Sequence, residues 1–320
     1  MSTPGSLVEQ RDRFWDDAVV VAEPEDPRPG AWVGAPSALL VDGVWWLAYR
    51  LRRPVGEGRG YGNVVARSAD GTTFEPVFTV NSDRFGAESL ERPALVHTPE
   101  GRWRLYVSCA IPGTKGWRID LLEAASAEEL ADARAETVLP CTATAAWKDP
   151  VVRLVDGRWH LWASVHPLDD PDATDRMTTE HATSPDGRAW THEGTALAGT
   201  PGTWDARGVR FATVMPGPGG VDDPATWALY DGRASAEENW EERTGLARAT
   251  GTGFTAAPDG PLLQSPHPPH GLRYADAVVL SDGSTRWFYE ATRPDGAHEL
   301  RTVLQGSWGG SAPPSPTAVG

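Results

Sequence analysis

The sequence contains only two cysteines, Cys109 and Cys141, among its 320 residues. So few cysteines exclude a disulfide-rich scaffold, and we expect both to be free thiols in a reducing compartment. No apolar run approaches the roughly 20 residues that span a bilayer. The N-terminus, residues 1–10, lacks a basic stretch followed by an apolar one, so we predict no secretion signal. These absences favour a cytoplasmic protein without a membrane partner.

Basic residues are scarce relative to acidic ones, with 29 Lys and Arg against 44 Asp and Glu and a formal net charge of -15. Such a chain repels a phosphate backbone and offers no basic stripe, which excludes nucleic acid as a partner. No glycine-rich phosphate loop follows a strand. The histidines show no paired spacing typical of metal ligands, so we predict no metal site and no cofactor.

The sequence is instead rich in Trp, with 15 residues, and in Gly and Pro, with 34 and 28 residues. This composition favours many short strands joined by tight turns. The prolines Pro36, Pro93 and Pro150 recur at a constant interval of 57 residues, each at the start of an apolar segment. An Asp-Gly or Glu-Gly turn and an aromatic strand follow each of them. We count five copies of this pattern, the fourth weaker and the fifth beginning near Arg273.

Each copy has the hairpin signal of two alternating strands around a tight turn, and Ser-x-Asp-Gly segments join further strands. We therefore predict an all-β fold, a five-bladed β-propeller with four antiparallel strands in each blade. Residues 1–305 form this single domain, and its blades start near residues 33, 90, 147, 204 and 272. A strand at 18–21 completes the last blade, since an open ring would expose sheet edges. Residues 306–320 are predicted to be a disordered tail, and residues 124–135 a helix on the rim.

The first strand of each propeller blade lines the axial channel, so the residues at the blade entries should converge on one mouth. Several of these residues are charged. Glycoside cleavage needs two carboxyl groups about 5 to 9.5 Å apart, one protonated and one ionised. Our catalytic candidates are Asp149 and Asp276 as inner carboxylates, with Glu91 or Asp205 as the proton carrier. Our substrate-binding candidates are Arg92, Arg207, Lys148, Trp147, Trp204, Trp32 and Glu290. The tryptophans that recur inside the repeat, Trp45, Trp103, Trp159 and Trp287, are predicted to pack between blades.

The five copies and the segment Trp147-Lys148-Asp149-Pro150 resemble the clan of five-bladed glycosidases. That clan contains glycoside hydrolase families 43 and 32 and, more distantly, the mannoside phosphorylases of family 130. The resemblance implies that Asp149 orients the substrate or stabilises the transition state. Families 43 and 32 carry an Asp at the first-blade entry, where this chain has Gly34-Ala35-Pro36. Either the catalytic carboxylates lie on other blades or hydrolysis has been lost.

The sequence therefore predicts a glycoside hydrolase that acts from the end of a short oligosaccharide or glycoside by carboxylate acid/base catalysis. The partner it implies is a small carbohydrate. A phosphate-dependent phosphorylase and a non-catalytic carbohydrate-binding propeller stay open as alternatives, because propellers support both catalysis and binding. A single calcium ion on the propeller axis also stays open. The sequence indicates no oligomeric state.

Overall fold

The computed structural model describes residues 14–251 and 253–306. Their strands form five consecutive antiparallel sets of four. Set 1 contains β2 (Trp32–Val41), β3 (Val44–Arg52), β4 (Gly60–Ser68) and β5 (Glu75–Asn81). Set 2 contains β6 (Leu90–His97), β7 (Trp103–Ala110), β8 (Trp117–Ala124) and β9 (Glu136–Leu139). Set 3 contains β10 (Ala145–Val155), β11 (Arg158–Pro167), β12 (Thr178–Ser184) and β13 (Thr191–Leu197).

The remaining strands complete the last two sets. Set 4 contains β14 (Gly208–Met215), β15 (Trp227–Arg233), β16 (Arg243–Thr250) and β17 (Gly253–Ala256). Set 5 contains β18 (Leu272–Val279), β19 (Thr285–Thr292), β20 (His298–Gln305) and β1 (Val19–Ala22) from the other end of the chain. Short 3-10 helices occur at Ser82–Phe85, Glu128–Ala131 and Pro171–Ala173.

The predicted turns shape the hairpins. β2 and β3 are joined by Asp42 and Gly43 with φ of 49° and 79°, and β10 and β11 by Asp156 and Gly157 with φ of 50° and 74°. Two residues with positive φ form the type I′ turn, whose twist matches that of the flanking strands, and Asp-Gly is a preferred pair for it. The repeat seen in the sequence is therefore a repeat of hairpins.

The first strands of the sets contact one another in cyclic order, β2 to β6, β10, β14, β18 and back to β2. β1 pairs antiparallel with β20, and a single bridge between Trp32 and His298 joins set 5 to set 1. Apolar clusters fill the space between neighbouring sets. The repeated tryptophans Trp45, Trp103, Trp159 and Trp287 are all buried in these clusters. The all-β prediction and its four-stranded antiparallel sheets are thus confirmed.

The structure differs from the sequence prediction in two elements. The predicted helix at 124–135 is wrong, because β8 runs to Ala124 and only Glu128–Ala131 form a short 3-10 helix. The first strand of set 4 begins at Gly208 rather than near residue 204. The fourth copy lacks the repeated proline, so its start was predicted from the offset of 57 residues alone, which placed it too early.

Other predictions concern the chain ends and the thiols. The predicted tail lies outside the described residues apart from Gly306. Cys109 and Cys141 are both free thiols. Among the described residues, we find no helix with the length and apolar character needed to cross a membrane.

Asp276 links set 5 to set 1, because its Oδ2 accepts a hydrogen bond of 2.9 Å from the backbone N–H of Ala38. It is buried and also lies 3.3 Å from Arg153 and 4.0 Å from Arg92. Asp276→Ala should therefore lower the free energy of unfolding by about 3 kcal/mol, since it leaves buried donors and a buried charge unpaired. Urea denaturation would measure this loss. The exposed Asp259→Ala should change the value by less than about 0.5 kcal/mol, and equal effects of the two variants would refute a linking role.

Candidate active site

A cavity of about 190 Å³ is lined by residues from all five sets. Representative residues of sets 1 to 5, in order, are Arg50, Glu91, Lys148, Arg210 and Tyr274. Eight cationic side chains and three carboxylates line it. The cations are Arg50, Arg52, Arg59, Lys115, Lys148, Arg210, Arg233 and Arg273. The cavity wall therefore carries a net positive charge, whereas the chain as a whole carries a net charge of -15.

Arg50 joins three sets at the cavity wall. Its guanidinium donates to Glu91 of set 2 and, at 2.9 Å, to Glu290 of set 5. Arg52, two residues along the same strand, lies 3.6 Å from the second oxygen of Glu91. Arg273 donates to the other oxygen of Glu290 at 2.8 Å. Glu91 and Glu290 each lie between guanidinium groups, and, against the effect of burial, Arg273 and Arg50 lower the pKa of Glu290.

Arg210 organises the opposite part of the network in sets 3 and 4. It lies 3.2 Å from Asp149 and 2.8 Å from Asp231. Glu242 of set 4 lines the cavity and accepts a hydrogen bond of 2.9 Å from Arg273 of set 5. Burial opposes ionisation of Glu242, but Arg210, Arg273 and Arg233 together lower the pKa of this carboxyl. Burial raises the pKa of Asp231 to about 6 in spite of Arg210.

A β-bulge places one residue of each of three first strands at this level. Pairing is interrupted between Gly34 and Ser37, between Lys148 and Val151, and between Arg273 and Asp276. Within these interruptions Ala35, Asp149 and Tyr274 have φ of 53°, 56° and 55°. Bulges redirect side chains next to active sites, and positive φ is unusual for a bulky residue such as tyrosine.

Tyr274 is held in this conformation by its neighbours. Its backbone N–H donates to both oxygens of Asp231 at 3.0 Å. The guanidinium of Arg210 lies 3.9 Å from the centre of its ring, and those of Arg273 and Arg50 lie at 5.3 and 5.5 Å. Burial raises the pKa of Tyr274 to about 12. No hydrogen bond to its hydroxyl occurs within the described part of the chain, and Tyr274 is one of the residues that line the cavity.

Several polar groups of the wall lack partners. The buried Nε of Arg52 and Nε2 of His166 make no hydrogen bond with the described residues. His166 Nδ1 donates to the carbonyl of Thr174 at 2.7 Å, which makes its unpaired Nε2 an acceptor. Burial and the adjacent Lys148 lower the pKa of His166 to about 3, so this ring is neutral at pH 7.

Lys148 carries its charge at a cost. Burial lowers the pKa of this ammonium to about 8, although Asp149 opposes the shift. Its Nζ lies 3.7 Å from Asp149, too far for a hydrogen bond, and 4.9 Å from the ring centre of Trp117. In turn, burial acts against ionisation of Asp149, but Lys148 and Arg210 keep the pKa of Asp149 below its usual value. Perturbed groups of this kind cluster at functional sites.

The structure brings only part of the predicted site to the cavity. Glu91 and Lys148 line it. Asp149 and Glu290 lie directly behind the wall, where they contact lining arginines. Trp32 also lies behind it, with the guanidinium of Arg52 4.0 Å from its ring centre.

The other predicted residues lie elsewhere. Asp276 is buried in the contact between sets 5 and 1, and Asp205 accepts a hydrogen bond of 2.7 Å from the Tyr230 hydroxyl. Arg92 donates to the carbonyl of Pro36, and Arg207 pairs with Asp175. Trp147 packs in the core between sets 2 and 3, and Trp204 stacks on Tyr230. None of these six side chains is part of the described cavity wall.

Sequence reasoning missed much of the wall, including Arg50, Arg52, Arg210, Arg233, Glu242 and Tyr274. Arg50 and Arg52 do give a signal, because two arginines with a spacing of two on an apolar strand lie on the same face. Glu242 gives none, because it lies in a connection outside the repeat. Tyr274 is next to the predicted Asp276, but only the bulge decides which of the two faces the cavity.

The fold is that of several solved carbohydrate-active proteins. A glycosyl hydrolase from Bacteroides ovatus matches with a TM-score of 0.63 and 15% identity, covering 92% of this chain and 91% of that chain. A β-1,2-mannobiose phosphorylase from Listeria innocua, solved with β-1,2-mannobiose, matches with a TM-score of 0.58 and 14% identity, covering 90% and 91%. No protein-family model and no curated protein matches the chain. The resemblance read from the sequence is thus confirmed for the fold.

The free-energy cost of burying the charged ammonium of Lys148 can be measured. Because its pKa is about 8 in the folded protein and 10.5 without these surroundings, the unfolded chain binds more protons between these pH values, and wild-type stability rises with pH across that window. Lys148→Met should therefore raise the free energy of unfolding at pH 7 by about 1 to 3 kcal/mol. The difference from the wild type should shrink above pH 8.

Denaturation curves at pH 7, 8 and 10 would check this expectation. The exposed Lys115 provides the control, and Lys115→Met should change stability by less than about 0.5 kcal/mol at each pH. A Lys148→Met protein that is less stable than the wild type at pH 7 would show that the contact with Asp149 outweighs the cost of burial.

Proposed function

We propose that the five sets are the blades of a five-bladed propeller and that the chain cleaves glycosides in the cavity described above. The cyclic contacts of the first strands and the set completed by β1 support the propeller. The fold shared with a glycosyl hydrolase and a mannobiose phosphorylase supports chemistry on a glycoside. As a fold alone does not determine function, the proposal depends on the cavity.

The observation that carries the proposal is the pairing of ionised and protonated oxygen groups on one wall. Glu91 and Glu242 present carboxylates, and Tyr274 presents a protonated hydroxyl. Glycoside cleavage needs a proton donor to the leaving oxygen and an anionic group for the positively charged transition state. Tyrosine acts as a general acid in other enzymes. We assign proton donation to Tyr274 and the anionic role to Glu91, with Glu242 adding negative charge.

In this reaction the Tyr274 hydroxyl transfers its proton to the glycosidic oxygen as the bond to the anomeric carbon breaks. Glu91 accepts a proton from the water that attacks this carbon, and the products are the free sugar and the alcohol. The guanidinium groups around the Tyr274 ring stabilise the phenolate that forms. Proton return from Glu91 to Tyr274, directly or through water, restores the site.

Glu91→Gln should lower kcat/KM by about 10² to 10⁴-fold, the usual contribution of a general acid or base. A panel of nitrophenyl furanosides and pyranosides would identify the substrate and measure the loss. Glu123→Gln is the matched control. Glu123 also pairs with an arginine, Arg104, at 2.6 Å, but it does not line the cavity. Full activity of Glu91→Gln would remove Glu91 from the reaction.

Tyr274→Phe should leave the free energy of unfolding within about 1 kcal/mol of the wild type, because the lost hydroxyl has no partner. Its kcat should fall by about 10²-fold or more on alkyl glycosides. The loss should be much smaller on dinitrophenyl glycosides, whose leaving group needs no proton. An equal loss on both kinds of substrate would contradict proton donation by Tyr274.

A second candidate, phosphorolysis, is favoured by the excess of cations on the wall. In that reaction inorganic phosphate replaces water as the nucleophile, and the product is a sugar phosphate. The same substrate panel with and without phosphate separates the two, because only a phosphorylase needs phosphate for turnover. Binding of glycosides without any cleavage would instead favour a carbohydrate-binding propeller.

A further inference from the structure

Arg52 and Lys148 are largely buried cations of the cavity wall and share a distinctive environment. Arg52 lies between two indole rings, with its guanidinium 4.0 Å from the ring centre of Trp32 and 5.1 Å from that of Trp240. Lys148 lies over the ring of Trp117. Each cation is thus fixed on an apolar face, while its nearest carboxylate is at 3.6 or 3.7 Å. These distances exceed those of hydrogen bonds.

Every other arginine of the wall donates at least one hydrogen bond to a carboxylate. Arg50 binds Glu91 and Glu290, Arg210 binds Asp231, and Arg273 binds Glu242 and Glu290. Arg52 donates no hydrogen bond to a described residue, and neither does the ammonium of Lys148. Burial and the charges of Arg50 and Arg273 also lower the pKa of Arg52, which shows how poorly its charge is compensated. An oxyanion from outside the chain would give both groups a hydrogen-bond acceptor and a compensating negative charge.

We propose that the cavity binds an oxyanion and that this oxyanion is the acidic group of the sugar, so that the substrate is an acidic glycoside such as a uronide. That this sugar is a substrate rests on the proposed function, whereas binding of the anion is independent of it. A carboxylate has two oxygens and one negative charge, which fits the few free donors better than a phosphate dianion. The tryptophans Trp117 and Trp240, which also line the cavity, suit the ring of the same sugar.

The chain itself offers a probe for this proposal. Lys115 and Lys148 are its only lysines, and both line the cavity. Reductive methylation with ¹³C-formaldehyde therefore labels only two side chains and the N-terminal amine. The Lys115→Arg and Lys148→Met variants assign the two lysine signals in the NMR spectrum.

Glucuronate and galacturonate are then titrated against glucose and galactose at constant ionic strength, with inorganic phosphate as a separate arm. A uronate should shift the Lys148 signal at concentrations at least 10-fold below those at which the matching neutral sugar acts. Arg52→Gln should weaken uronate binding by at least 10-fold. In the Lys148→Met protein, uronate binding measured by calorimetry should weaken similarly although the fold is retained.

Equal responses to the acidic and the neutral sugars, or none to either uronate, would overturn the proposal. A response to phosphate but to neither uronate would also overturn the acidic glycoside and assign the oxyanion to free phosphate. None of these results depends on turnover. Cleavage of neutral nitrophenyl glycosides without uronate binding would leave the proposed function intact while removing this inference.

Discussion

At the level of the cavity, every junction between neighbouring sets is crossed by an ion pair or by a hydrogen bond between uncharged groups. Arg50 binds Glu91 across the first junction, Arg210 binds Asp149 across the third, and Arg273 binds Glu242 across the fourth. Arg50 also binds Glu290 and so connects the last set to the first. At the second junction the Ser108 hydroxyl accepts a bond of 2.8 Å from the Asp149 N–H. The same groups thus position the sheets and form the wall.

Such a network is a poor means of gaining stability. Taking charges out of water costs several kcal/mol for each ion, and well-packed apolar residues often replace a buried ion pair without loss. The lowered pKa of Lys148 and the raised pKa of Asp231 show that part of this cost is not recovered within the chain. A cavity that keeps poorly compensated cations is therefore more easily explained by a ligand that completes the network than by the needs of folding.

The sequence predicted the fold better than the site, for a physical reason. Hairpins depend on local signals, and Asp42-Gly43 or Asp156-Gly157 determine a turn whatever lies beyond it. A residue on the wall depends on bulges and on partners far along the chain. Glu91 and Lys148 were found because the repeat places them at a strand entry, whereas Glu242 comes from a connection that no repeat describes. Asp205 follows the repeat, yet its strand begins only at Gly208.

Gly34, near the start of the first strand of set 1, shows how a single substitution would alter the site. A Cβ atom at Gly34 would lie 2.3 to 2.5 Å from three atoms of the Glu290 side chain. Glu290 cannot withdraw easily, since Arg50, Arg273 and His298 all hold its carboxylate. The space next to the residue 34 backbone is therefore already filled by a carboxylate from the fifth set. A side chain at position 34 and the observed position of Glu290 therefore exclude each other.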